Sequence, residues 1–195
     1  MRAFARVCAV VALMSGLAAA SLPAQVRGVV GAGLSFPMGD FAADAGGQAQ
    51  SGGGTAMLGA EWLPAGEEFG VRLDGNWAQF CTSACDASGG SLDVKWQVFN
   101  ANLNGVLQFP MREGARLHPY VLAGVGVYNY KLRGNDVPTA VSDADKTKFG
   151  LNGGLGLNFE LGQLGLFVEG RFHTILTDAK DIQYLPIMVG LRFGR

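Results

Sequence analysis

Charge is scarce in this sequence. Asp, Glu, Lys and Arg make up 16% of its 195 residues, against about 25% in an ordinary soluble domain. The 15 basic and 16 acidic residues nearly cancel, to a formal −1, so the basic face of a nucleic-acid binder is missing. There are two histidines, His118 and His173, and three cysteines, Cys8, Cys81 and Cys85. Histidines this far apart exclude the two-histidine zinc-protease helix. Gly31-x-Gly33, Gly124-x-Gly126 and Gly154-x-Gly156 all lack the third glycine of a dinucleotide fingerprint, and no Gly-Lys-Ser/Thr follows a glycine loop. What is abundant is glycine, 30 residues, and apolar side chains, 49% with a mean hydropathy of +0.21. That composition excludes disorder.

The first two dozen residues read as a segment to be removed. Arg2 and Arg6 precede an apolar stretch from Val7 to Ala20, and Ala18, Ala20 and Ala24 supply small residues for cleavage, the pattern of a secretory signal peptide. Residues 1–24 are therefore expected to be the leader, cut after Ala20 or Ala24, and 25–195 the mature domain. The apolar stretch is shorter than the roughly 20 residues a spanning helix needs.

No later run is long and apolar enough for a membrane helix; apolar residues recur instead at every second position, the period of a strand with two unlike faces. From 149 to 160, Phe149, Leu151, Leu155, Leu157 and Phe159 alternate with Gly150, Asn152, Gly154, Gly156, Asn158 and Glu160. Residues 164–176 set Leu166, Val168 and Phe172 against Glu169, Arg171 and His173; the last segment sets Ile187, Val189, Leu191 and Phe193 against Tyr184, Met188 and Arg192. Weaker alternation marks strands over 26–36, 55–63, 69–80 and 95–109. Residues 118–131 are apolar on both faces, which leaves their inner side unassigned. That makes eight strands.

Connection lengths give a second, independent pattern. Residues 37–54, 81–94 and 132–146 are long and rich in Gly, Ser, Asp and Ala, whereas 64–68, 110–116 and 161–163 are short. Long exterior loops alternating with short periplasmic turns belong to outer-membrane barrels. In hydrocarbon each unpaired backbone group costs several kcal/mol, so strands span only as a closed sheet. Aromatics gather near strand ends, at Phe36, Trp62, Trp77, Trp96, Phe109, Tyr120, Tyr130, Phe149, Phe159 and Phe193, where girdles would place them. The alternative is a soluble lipocalin-like barrel or sandwich with its faces exchanged. A polar face of Gly, Asn and Ser is too weakly charged for a solvated exterior. The expected fold is all-β: an eight-stranded antiparallel up-and-down transmembrane barrel.

Gly28-Val29-Val30-Gly31-Ala32-Gly33-Leu34-Ser35-Phe36-Pro37-Met38-Gly39-Asp40-Phe41, Pro119-Tyr120-Val121-Leu122-Ala123-Gly124-Val125-Gly126 and Val189-Gly190-Leu191-Arg192-Phe193 resemble the first, fifth and closing strands of the small bacterial outer-membrane β-barrels of OmpA/OmpX type. The resemblance implies an outer-membrane location and engagement of the barrel-assembly machinery through the C-terminal strand. It departs from the family in that Gly194 and Arg195 follow the last aromatic.

The face assigned to the lumen carries Arg27, Arg72, Arg171 and Arg192 against Glu61, Asp74, Glu160 and Glu169, with His173 beside them. Charges removed from water must be paired, and eight strands leave an interior that side chains fill. The expected result is an ion-pair and amide plug. Cys81 and Cys85 fall in one exterior loop, and export favours a disulfide across the Thr82-Ser83-Ala84 interval. Asp143, Asp145, Asp178 and Asp181 read as solvated loop acids, so no metal or cofactor is expected. His173, with no Ser two residues on, does not suit the catalytic pair of a lipid A deacylase. The favoured reading is a non-enzymatic, monomeric structural or surface-interaction barrel whose loops meet lipopolysaccharide or an extracellular ligand, with no nucleic-acid partner. A narrow solute conduit is the alternative, and a lipid A-modifying enzyme the least supported.

Overall fold

The computed structural model of the protein describes residues 26–43, 50–64, 67–82, 95–112, 114–133, 146–162, 164–177 and 181–194. Eight long strands dominate them: β1 (Val26–Met38), β2 (Gly53–Trp62), β3 (Phe69–Thr82), β4 (Lys95–Gln108), β5 (Leu117–Arg133), β6 (Lys146–Leu161), β7 (Leu164–Ile175) and β8 (Ile182–Phe193). A short helix, α1 (Gly39–Ala43), follows β1, and Gln50–Ser51 pairs with the outer end of β3. Each strand pairs antiparallel with its sequence neighbours. β1 then closes the ring against β8, from Gly28 opposite Phe193 to Met38 opposite Gln183. Closure removes the sheet edge, the condition for crossing hydrocarbon.

The two faces have the roles that their alternation predicts. Phe149 is 74% exposed and Leu155 68%, while Asn102 and Asn104 on the other face are 1% exposed. A soluble barrel would bury the first pair and hydrate the second; this surface is stable only against acyl chains. β5, apolar on both sides, turns Val121, Ala123, Val125 and Val127 outward and Tyr120, Leu122 and Tyr128 inward.

Phe36, Trp62, Phe109, Phe149 and Phe159 are exposed near strand ends, as a girdle requires. Tyr120, Trp96 and Tyr130 depart from that expectation. Tyr120 is buried in the lumen, and Trp96 and Tyr130 pack on an internal cluster. A phenol hydroxyl finds its partner among the lumen's polar groups and not in lipid.

The connections sort onto two ends. Val26, Phe193 and the short turns 63–68, 109–116 and 162–163 share one end, the periplasmic one. Gly114 and Gly162 adopt φ of +83° and +72° there, a backbone that favours glycine. At the outer end Phe41 of α1 packs edge-on against Phe80 at 5.3 Å and Trp96 at 6.1 Å, over a cluster with Val98, Ile175 and Tyr184. Large inward rings are seated on glycine. A Cβ on Gly156 would collide with the ring of Tyr120, its register partner, and one on Gly190 with the ring of Phe167.

Candidate functional site: the barrel lumen

β3 and β7 are four strands apart in a ring of eight, so they stand diametrically opposed, and both run outward. On each, alternate residues face the axis. Arg72-Leu73-Asp74 therefore confronts Glu169-Gly170-Arg171, a basic-then-acidic step against an acidic-then-basic one. Arg72 Nη1 donates to Glu169 Oε2 at 2.6 Å, and Arg171 Nη1 donates to Asp74 Oδ1 and Oδ2 at 2.9 and 3.0 Å. Both pairs join residues 97 positions apart. The equal offset follows from two strands that run in the same direction.

These two crossings belong to a continuous chain. Arg72 Nε and Nη2 donate to Glu61 Oε2 at 2.8 and 2.6 Å, and Arg171 Nε and Nη2 donate to Glu169 Oε1 at 3.0 and 2.6 Å. Glu61, Arg72, Glu169, Arg171 and Asp74 are thus linked in series, each side chain fully buried. Tyr120 Oη adds a donation to Glu169 Oε2 at 2.7 Å. Asp74 also accepts from the amides of Asn76, Asn102 and Asn104 at 2.6 to 2.9 Å. Asn100 accepts from Asn76 and Asn102 and donates to Tyr184 Oη at 2.8 Å. Burial of ions at this depth is tolerable only with such pairing and supporting hydrogen bonds.

The other expected lumen residues are placed differently. Arg192 is inside, its guanidinium over the Tyr120 ring at 4.3 Å and Nη2 3.5 Å from Glu61 Oε2. His173 is buried but joins no ion pair among the described residues; it stacks on Tyr184 at 4.7 Å, with Nδ1 2.9 Å from Tyr128 Oη. Arg27 is half-buried at the periplasmic mouth. Glu160 corrects the expectation: its side chain is 47% exposed and stands 3.7 Å from His118 Nε2, apart from the central chain. The physical reason is depth, since β6 ends one residue later and the carboxylate reaches water. Cys85 lies outside the described residues, as does the side chain of Cys81, and with them the expected disulfide.

The sequence left the inner side of Tyr120 and Tyr128 unassigned; it put Tyr184 on the lumen face without naming it as a partner, and it anticipated an amide contribution without naming which asparagines make it. The signal was present in register: Tyr120 opposes Gly156, and Gly124 and Gly126 leave the β5 wall low beside Asn104 and Asn102. Chemically, the set braces opposite walls. Among the described residues no three His, Cys, Asp or Glu side chains gather as a metal site, and the hydrogen bond of His173 goes to a phenol inside the barrel, away from the lipid.

A family model for the outer membrane protein beta-barrel domain matches residues 9–193. The chain belongs to that family. Among solved structures it is similar to Neisserial surface protein A, at 12% identity and a TM-score of 0.62 over 87% of this chain and 97% of that one. A major outer membrane protein from Thermus thermophilus gives 16% identity and a TM-score of 0.55 over 86% and 98%. Ail, the attachment invasion locus protein of Yersinia pestis, gives 16% and 0.51 over 88% and 100%. None of the curated proteins matches the chain. At these identities the likeness is one of fold. The family places this barrel in the bacterial outer membrane.

Proposed function

We propose that this barrel has a structural and surface-interaction role, with its lumen plugged by the Glu61–Arg72–Glu169–Arg171–Asp74 chain and the exterior connections 39–52, 83–94, 134–145 and 176–181 serving as binding elements. The observation that carries the reading is the pair of ionic crossings between β3 and β7, at 2.6 and 2.9 Å. An interior spanned twice by buried, mutually satisfied charges has no room for bulk flow, and water-filled channels belong to barrels of about 16 strands. Binding then falls to the loops, which a rigid scaffold positions. The protein acts as a monomer, without catalysis, among outer-membrane lipid and lipopolysaccharide, after insertion by the barrel-assembly machinery through β8.

Planar-bilayer recording tests this. The purified barrel should give no steady single-channel current; steady currents abolished by blocking the lumen would establish a narrow conduit instead. Incubation with purified lipopolysaccharide followed by mass analysis should leave the lipid unchanged.

A further inference from the structure

The periplasmic mouth contains a recess of about 190 Å3, lined by Arg27, Arg192, Asn158, Glu160 and Gly165 among others. That is far more than the roughly 10–15 Å3 that one water occupies on the same measure. Two guanidiniums and one carboxylate line it. Glu160 is half in water and faces His118, so the carboxylate nearest the deeper Arg192 is that of Glu61.

Arg192 is 3% exposed, yet its Nε and Nη2 make no hydrogen bond. Its one carboxylate neighbour among the described residues, Glu61 Oε2 at 3.5 Å, already accepts two short bonds from Arg72. Asn158, 1% exposed, also lacks a partner for Oδ1, and a flip of its terminal torsion presents the NH2 group in its place. Buried donors without acceptors are costly. A guanidinium matches the geometry of an oxyanion better than that of a water.

We propose that this recess binds a small oxyanion of the phosphate class from the periplasmic side, held by Arg192 and Arg27 with the Asn158 amide donating. Gly165 keeps the space open, since a Cβ there would stand 2.7 Å from Asn158 Oδ1 and 3.4 Å from Arg192 Cβ. The same chemistry is offered by free phosphate and by the headgroup phosphate of an inner-leaflet phospholipid, both present at this depth.

The test uses the folded full barrel in a neutral maltoside detergent, followed by phosphorus NMR. Inorganic phosphate is titrated in one arm and dihexanoyl phosphatidylglycerol, below its micelle concentration, in the other. Saturable phosphate binding is expected, weakened at least tenfold by Arg192→Gln, Arg27→Gln or Gly165→Ala and unchanged by Arg112→Gln in the exposed turn 109–116. Saturation by the lipid alone assigns the site to a headgroup. If Arg192→Gln does not fold, the other two variants decide. No saturation by either probe, or equal affinity in Arg27→Gln and Gly165→Ala, overturns the proposal.

Discussion

The middle of the lumen and its outer end are both crossed by packed side chains, but of opposite kinds. In the middle, three carboxylates and two guanidiniums span the barrel from β2 to β7. At the outer end Phe41, Phe80, Trp96 and Tyr130 pack through ring contacts at 5.3 to 6.2 Å. An ionic brace fixes which residue meets which, because removal of one partner strands a charge in a dry interior. Ring packing fixes volume more than identity and tolerates exchange. One region is specific and brittle, the other permissive.

The largest expected effect is at Glu169, which serves both Arg72 and Arg171. Glu169→Ala leaves two buried guanidiniums short of an acceptor and should cost about 3–5 kcal/mol, measured by urea unfolding in phospholipid vesicles. A loss below that of a peripheral truncation would show that water already hydrates the brace. On the outside, Leu155→Arg places a charge on the lipid face and should cost about 2–4 kcal/mol near the midplane. Asn158→Ser should be mild in the same assay, and parity between the two would reverse the faces.

Two changes around one ring sharpen the comparison further. Tyr120→Phe keeps the ring and removes the hydroxyl that donates to Glu169, so the loss should be about 1.5–3 kcal/mol, the usual range for a bond to a charged group. Gly156→Ala keeps the hydroxyl but displaces the ring that carries it. Overpacking of about 1–3 kcal/mol is expected there, visible as a lower midpoint of the heat-induced gel-mobility shift. The smallest change belongs to the cap. Phe80→Leu should cost under about 1.5 kcal/mol, and a cost equal to that of Glu169→Ala would erase the distinction drawn between the regions.

Strands were legible wherever their two faces differ, as in β6 and β7, because lipid and lumen select unlike residues at alternate positions. β5 was legible as a strand but its inner face was not, because Tyr120, Leu122 and Tyr128 are apolar enough to pass for lipid-facing residues and glycine neighbours across the sheet are what mark them as internal. All five charges of the central chain were legible as inward. Glu160 was misplaced because alternation gives a side chain's direction and not its depth, and its depth is set by where β6 ends.

Alternation and connection length, both written in the chain, determined that this protein is a closed barrel with a greasy exterior. The pairings inside were decided only by closure. Arg72 and Glu169 are 97 residues apart, and nothing local relates them; they meet because eight strands wrapped into a ring put the third across from the seventh, at a diameter that two side chains can bridge.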